Sequence, residues 1–228
     1  MKPIALVTGA NRGIGLALSK LLIDQDYRVL LGCRDLKKAE VTREKLSSEN
    51  AFSVQVDLLQ PEKFSALRSD IESRFGQLDV LVNNAGINYD TWQDAADPDF
   101  EQVKNTWQVN TLGPWQLAVA LLPIIPRGGR IVNVSSESGS LNGMGGGTPA
   151  YSITKAALNA MTIKLAHAVR SKGILVNAVC PGWVRTDMGG AAAPRSPEQG
   201  AKSVYWAIDL PDTGPTAGFF RDGQMLSW

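Results

Sequence analysis

The stretch Thr8-Gly9-Ala10-Asn11-Arg12-Gly13-Ile14-Gly15 decides the fold. It joins the apolar run Ile4–Val7 to the amphipathic stretch Ile14–Ile23, so the sequence predicts a strand, a glycine turn and a helix. In such a turn Gly9 permits a tight reversal, Gly13 lets the backbone approach a pyrophosphate, and Gly15 allows close packing of helix on strand. The free N–H groups of the helix then face the phosphates, which is typical of a dinucleotide site.

The alternation of strand and helix patterns continues along the chain. Short apolar runs, typical of strands buried on both faces, alternate with longer amphipathic stretches, typical of helices. This order predicts an α/β doubly wound parallel sheet, a Rossmann fold, of about seven strands with helices on both faces. A single domain is expected over residues 1–228. The predicted strands are Ile4–Val7, Arg28–Leu31, Phe52–Val56, Val80–Val82, Arg130–Val134, Leu175–Val179 and Ala217–Phe220, and the predicted helices are Ile14–Ile23, Leu36–Leu46, Pro61–Phe75, Phe100–Leu122 and Tyr151–Ser171.

Composition limits the class of protein. The chain is 44% hydrophobic and 20% charged, which suffices for a large core. Its net charge of +1 argues against binding nucleic acid or an anionic membrane through overall charge. No apolar run is long enough for a signal peptide or a membrane helix. The two cysteines, Cys33 and Cys180, are too few for a disulfide framework or a CxxC metal motif, so we expect a cytoplasmic protein without a metal.

The end of the second predicted strand bears on the choice between NAD and NADP. An NAD site has an acidic residue there to bind the ribose 2′-hydroxyl, but Cys33 occupies that position. Arg34 follows it, Arg12 lies in the glycine turn, and two guanidinium groups suit a 2′-phosphate. We therefore expect NADP(H). Two alternatives are open here: both arginines are solvated surface residues, or Asp35 contacts the ribose.

Residues after the third and fourth predicted strands also lie at the edge where ligands bind such a sheet. Asp57 is placed to hydrogen-bond the adenine. In Asn83-Asn84-Ala85-Gly86 the small side chains admit the cofactor, with the alternative that Asn83 only braces the sheet. Two loops stand out by composition: Gly143–Pro149 is rich in glycine, and Gly189–Pro197 is a candidate mobile lid.

A second group of residues suggests proton chemistry. Tyr151 and Lys155 are four positions apart at the start of a predicted helix, so phenol and ammonium share one face. The ammonium is expected to favour phenolate and lower the tyrosine pKa, which makes a general acid or base. Ser136 ends the fifth strand and Asn110 lies within a long predicted helix.

In these motifs and their order the chain resembles the short-chain dehydrogenase/reductase family, and its Pro181–Met188 segment resembles the carbonyl-reductase branch. The resemblance implies that Tyr151 transfers the proton and that Ser136 holds the substrate oxygen. It also implies that Lys155 binds the nicotinamide ribose and tunes the tyrosine, and that Asn110 holds a water of the proton relay. Ser135 would be structural. Cofactor contacts are expected, from the residues or from the resemblance, at Gly9, Asn11, Arg12, Gly13, Ile14, Gly15, Arg34, Asp57, Leu58, Asn84, Ala85 and Gly86. The resemblance alone implies Tyr151, Lys155, Pro181, Gly182, Val184 and Thr186.

The expected reaction is reversible hydride transfer between NADP(H) and a small carbonyl or alcohol substrate. Trp183 either lines the substrate pocket or packs in the core. With Trp92, Met144 and Met188 it suggests an apolar aldehyde or ketone. Two other functions are open: a non-catalytic NADP(H) sensor, and dehydration or epimerisation by the same residues.

The oligomeric state follows from the resemblance as well. The chain lacks the insertion before the tyrosine that marks monomeric vertebrate carbonyl reductases. Relatives without it pair through two long helices, here Phe100–Leu122 and Tyr151–Ser171, so we expect a homodimer or homotetramer. The single histidine, His167, is expected at a surface or interface and not in catalysis.

Overall fold

Eight strands of the computed structural model, which describes residues 2–228, form one sheet. In chain order they are β1 (Ile4–Thr8), β2 (Arg28–Cys33), β3 (Ala51–Gln55), β4 (Val80–Asn83), β5 (Arg130–Val134), β6 (Leu175–Val179), β7 (Phe219–Arg221) and β8 (Gln224–Met225). Across the sheet the order is β3-β2-β1-β4-β5-β6-β7-β8. The strands β1 to β7 are parallel and β8 is antiparallel to β7. The predicted doubly wound sheet is confirmed, with one short strand more than expected.

In the described part of the chain, residues 2–228, seven α-helices cover the sheet. They are α1 (Gly13–Asp24), α2 (Leu36–Leu46), α3 (Phe64–Phe75), α4 (Phe100–Trp107), α5 (Gly113–Leu121), α6 (Pro149–Val169) and α7 (Pro197–Ile208). The predicted helix Phe100–Leu122 is α4 and α5 joined by a π-helical turn at Gln108–Leu112. The sequence patterns did not predict α7, although Ser196 and Gln199 form a capping box at its start.

The central strands are buried on both faces, as a parallel sheet requires. On β1, Ile4 and Leu6 belong to one apolar layer, whereas Ala5 and Val7 belong to the layer on the opposite face. This explains why the strands appear in the sequence as continuous apolar runs. Among residues 2–228, no helix has both the length and the apolar character needed to cross a membrane.

The strand order creates a crevice at the centre of the sheet. From β1 the chain proceeds to β2 and β3 on one side, and β4 then pairs with β1 on its other side. Connections that leave neighbouring strands in opposite directions open a gap at their carboxyl ends, where ligands bind this fold. The segments that follow β1 and β4 therefore border the candidate site.

Candidate active site

The glycine turn after β1 forms a tight backbone cradle. Gly9 and Gly13 have positive φ angles of 67° and 53°, which glycine adopts without strain. A Cβ at Gly15 would lie 2.3 Å from the carbonyl oxygen of Gly9, so no larger residue fits between this turn and α1. Free N–H groups at the start of α1 and an open backbone fit the pyrophosphate of a dinucleotide.

The segment after β4 forms the other wall of the crevice. The Asn84 side chain donates a hydrogen bond to the carbonyl oxygen of Thr8 at 2.8 Å and so ties this wall to β1. A Cβ at Gly86 would lie 3.3 Å from Asn110 Oδ1 and 3.5 Å from Lys155 Nζ. Glycine there keeps space beside the lysine. Asn83 is buried and donates to Asn133 Oδ1 at 2.8 Å, so it braces the sheet.

The two candidate phosphate-binding arginines are exposed beside the cradle. Arg12 forms an ion pair of 2.5 Å with Asp187, and no ion pair to Arg34 forms within residues 2–228. The Asp35 carboxylate caps α2, because its Oδ1 accepts from the Lys37 N–H at 3.0 Å. Burial raises the pKa of Cys33 to about 11, which leaves a neutral thiol at this strand end.

The segment that follows β6 passes over the glycine turn. A Cβ at Gly13 would lie 3.0 Å from the Thr186 methyl group, so two sets of predicted cofactor contacts meet here. Gly182 has a φ of 78°, and Val184 is buried. The candidate lid is held to this segment, because Arg195 and Trp183 are joined by a backbone hydrogen bond of 3.2 Å.

Trp183 is not a core residue. Its side chain is 57% exposed, and the indole N–H donates to the Gly189 carbonyl at 2.8 Å. Trp92, on the connection from β4 to α4, and Met188, on the same connection as Trp183, are also exposed. These apolar surfaces next to the crevice fit a ligand-binding role better than core packing.

The start of α6 carries the proposed proton donor. Tyr151 lies in its first turn, and Lys155 lies one turn later on the same face. The Lys155 ammonium lies 5.7 Å from the centre of the Tyr151 ring and donates to the Val134 carbonyl at 2.7 Å. That carbonyl ends β5, so the lysine links α6 to the carboxyl edge of the sheet.

Burial dominates the pKa values of both groups. It raises the pKa of Tyr151 to about 12, and a hydrogen bond with the Ser136 side chain opposes only part of the rise. Burial also lowers the pKa of Lys155 to about 8. The expected lowering of the tyrosine pKa is therefore wrong for this structure, because burial of the phenol raises its pKa by more than Ser136 lowers it. The phenol stays protonated at neutral pH, as a general acid must.

Ser136 reaches the tyrosine because a 3₁₀ turn, Glu137–Gly139, packs tightly against α6. A Cβ at Gly139 would lie 2.6 Å from the Lys155 carbonyl carbon, so only glycine permits this approach. The adjacent Ser135 is buried, and its hydroxyl donates to Asn159 Oδ1 at 2.6 Å. Of the two serines, the structure brings Ser136 to the phenol.

Asn110 lies in the π-helical turn between α4 and α5. Its side chain is buried and both accepts from the Ile87 N–H at 2.8 Å and donates to the Ile87 carbonyl at 2.9 Å. It also donates to the Thr154 hydroxyl at 3.2 Å. Turns of this type often occur at functional sites, and here the turn ties the asparagine to both the cofactor crevice and α6.

The remaining predicted residues lie at the rim or away from the tyrosine. Asp57 follows β3, and its carboxylate accepts from the Leu59 N–H at 3.0 Å. Leu58 is buried, and His167 is exposed in the last turn of α6. Within residues 2–228, His, Cys, Asp and Glu side chains nowhere gather in a group of three that could hold a metal ion.

Three residues near the tetrad Asn110, Ser136, Tyr151 and Lys155 were not singled out from the sequence. Asp90 bonds the start of α6, Thr154 bonds Asn110, and Cys180 is a buried thiol whose charge would act on Tyr151 and Lys155. Burial raises the pKa of the Cys180 thiol, so it stays neutral. In the sequence, Thr154 is indicated only by its place inside the Tyr-x-x-x-Lys motif. No sequence pattern indicates Asp90.

The chain is similar to known proteins over its whole length. The family model for short chain dehydrogenase matches residues 3–196. Carbonyl reductase [NADPH] 1 of Mus musculus is 34% identical in an alignment of 275 residues, which covers 100% of this chain and 99% of the relative. The alignment is longer than this chain, so the mouse protein carries segments that the chain lacks.

Solved structures of carbonyl reductases are also similar to this chain. Carbonyl reductase Sniffer of D. melanogaster is 33% identical with a TM-score of 0.87, and each chain is covered to 100%. An NADPH-bound carbonyl reductase from chicken fatty liver is 27% identical with a TM-score of 0.90, again with full coverage of both chains. With the glycine cradle, the Tyr-x-x-x-Lys helix and these matches, the chain belongs to the short-chain dehydrogenase family.

Proposed function

We propose that this protein is an NADP(H)-dependent oxidoreductase that reduces a carbonyl group, and that residues 1–228 act as one cofactor-binding domain. The observation that carries the proposal is the Tyr151 phenol, which lies beside Ser136 and whose ring centre is 5.7 Å from the ammonium of the buried Lys155. The relatives named as NADPH carbonyl reductases support the same cofactor and reaction class. Both thiols are free and buried, in keeping with a cytoplasmic location.

The chain's own residues account for binding and for the proton. The cradle of Gly9, Gly13 and Gly15 holds the pyrophosphate. Bound NADPH supplies the hydride for the carbonyl carbon. Ser136 and Tyr151 hydrogen-bond the carbonyl oxygen and stabilise the negative charge that develops there. Tyr151 donates its proton to that oxygen, and Lys155 with Asn110 returns a proton through water.

The proposed substrate is an apolar aldehyde or ketone. Trp92, Trp183 and Met188 expose apolar surface on loops at the carboxyl edge of the sheet, and Met144 is partly exposed on the glycine-rich loop. Pockets for such substrates combine apolar walls with a few polar groups that orient the reacting atom. Ser136 and Tyr151 are those polar groups here.

The test of the proposal is NADPH oxidation with aldehydes, ketones, quinones and ketoacyl thioesters of graded polarity. We expect turnover with at least one class and higher kcat/KM for apolar members. NADPH binding without turnover on any carbonyl would favour a sensor. Conversion without net NADPH consumption would favour dehydration or epimerisation. Either result contradicts the proposed function.

Arg34 is expected to select NADPH over NADH. Its guanidinium is exposed beside the cradle, and a charge-assisted bond to a 2′-phosphate contributes about 1.5–3 kcal/mol. Arg34→Ala should therefore raise KM for NADPH by roughly 10- to 100-fold while KM for NADH stays the same. Initial rates with both cofactors measure this. Arg43→Ala, at an exposed position on α2, is the matched control. Equal losses for both cofactors would contradict the assignment.

We also propose a homodimer or homotetramer that pairs through α4, α5 and α6. Trp107, Trp115 and Val119 are exposed on α4 and α5, and Ile153 is exposed on α6. A symmetric interface would bury this apolar surface. Light scattering after size exclusion should give at least twice the chain mass, and Trp115→Glu should lower it. A monomeric wild-type protein would refute the proposal.

A further inference from the structure

Asp90, on the connection from β4 to α4, is a fully buried carboxylate outside the tetrad. Its Oδ2 accepts hydrogen bonds from the N–H groups of Ala150 at 2.6 Å and Tyr151 at 3.3 Å. Its Oδ1 has no hydrogen-bond partner within residues 2–228. Burial of a carboxylate is unfavourable unless hydrogen bonds compensate for the lost water. The bonds to the start of α6 are therefore what holds Asp90 in place.

The start of α6 lacks a cap of its own. Thr148 is the N-cap residue but adopts a left-handed conformation, and its side chain makes no capping hydrogen bond. The preceding glycines at 145, 146 and 147 are loosely surrounded, since a Cβ on any of them would meet no atom within 4 Å. The first N–H groups of a helix need partners, and a negative charge there is favourable. Asp90, from a distant part of the chain, supplies both the hydrogen-bond acceptor and the negative charge.

The segment from Ile87 to Asp90 is also held at its other end. Ile87 exchanges two backbone hydrogen bonds with the Asn110 side chain, at 2.8 and 2.9 Å. Asp90 binds the backbone of Tyr151. This short segment therefore connects the asparagine and the tyrosine of the tetrad. A shift at either end would move the phenol relative to Ser136.

We propose that Asp90 is a positioning residue for the reaction, because its carboxylate fixes the first turn of α6 and thereby holds the Tyr151 phenol against Ser136. This inference rests on the proposed function of Tyr151 as proton donor. It assigns Asp90 no contact with substrate. Its effect is on the geometry of proton donation, where small displacements are costly.

The first test is Asp90→Ala. We expect kcat to fall by roughly 10- to 100-fold, as for a small misplacement of a catalytic group, with the Kd for NADPH unchanged. Hydrogen exchange of the first turn of α6 should become faster. Asp99→Ala is the matched control, because the exposed Asp99 caps α4 through bonds to Glu101 and Gln102 at 2.9 and 3.3 Å. It loses a helix cap but should keep its kcat.

Two further variants separate positioning from folding. Asp90→Asn keeps an oxygen that can accept both N–H bonds and should restore most of kcat. Asp90→Glu keeps the charge but displaces it by one methylene group, so kcat should fall. If Asp90→Ala does not fold, the kcat of Asp90→Glu tests the positioning role instead. Unchanged kcat in Asp90→Ala or Asp90→Glu, or no recovery in Asp90→Asn, overturns the inference.

Comparison with Tyr151→Phe separates a failure of this inference from a failure of the proposed function. If Tyr151→Phe retains activity, the assigned proton donor is wrong and the role of Asp90 falls with it. If Tyr151→Phe is inactive while Asp90→Ala turns over like the wild type, only the inference about Asp90 fails.

Discussion

Replacement of Tyr151 by Phe is expected to lower kcat for carbonyl reduction by about 10²- to 10⁴-fold, the usual contribution of a positioned general acid. In the proposed reaction the phenol is the proton source for the new alkoxide, and its raised pKa of about 12 keeps that proton in place at neutral pH. Phe keeps the ring, so the packing at the start of α6 is preserved. The loss should therefore fall on catalysis alone.

Steady-state NADPH oxidation measures kcat, and quenching of tryptophan fluorescence measures NADPH binding. The Kd for NADPH should stay close to the wild-type value. Tyr205→Phe is the matched control, because this hydroxyl lies on α7 and makes long contacts to Gln25 and Asp209, of 3.5 and 3.4 Å. It should turn over normally. Retained reductase activity in Tyr151→Phe would remove the tyrosine from the mechanism.

Gly15→Ala should nearly abolish cofactor binding. The added Cβ would lie 2.3 Å from Gly9 O and 2.6 Å from Asn84 Nδ2, far inside normal contact distances. To relieve both clashes, the glycine turn must move away from α1, and Asn84 must release the Thr8 carbonyl. Overpacking of this kind typically costs about 1–3 kcal/mol of stability and occasionally more. The distorted cradle no longer presents its N–H groups to a pyrophosphate.

Thermal unfolding with and without NADPH tests this prediction. A ligand that binds only the folded state raises Tm, so the wild type should be stabilised by NADPH and Gly15→Ala should not. Gly145→Ala is the control, because a Cβ there would meet no atom within 4 Å. It should keep the wild-type response. Normal stabilisation of Gly15→Ala by NADPH would show that the cradle is elsewhere.

The fold was largely predictable because its strongest signals are local. Buried parallel strands appear as short apolar runs, and seven of the eight strands were found in this way. The strand Gln224–Met225 was missed because it has only two residues, both exposed, and it depends on pairing with Phe219–Arg221. Helix α7 was not predicted although Ser196-Pro197-Glu198-Gln199 carries a capping signal, because the glycines and prolines that precede it are typical of a loop.

The site was predictable where chemistry depends on spacing, as for Tyr151 and Lys155 within one helix. The pKa values in the site were not predictable, because they depend on burial. The lysine alone suggests a lowered tyrosine pKa, and only the packed structure shows that burial raises it. Asp90 is a further case, because its partners are about sixty positions away and no local pattern connects them.

The π-helical turn at Gln108–Leu112 has a consequence for how the chain tolerates changes in length. Such a turn contains one residue more than a regular α-helical turn. Loss of a single residue between Phe100 and Leu121 would restore a regular helix and rotate the Asn110 amide away from Ile87 and Thr154. The glycine-rich loop before α6 has no helical turn whose length fixes the direction of a side chain. Insertions and deletions among homologues should therefore accumulate in that loop and be rare in the helix.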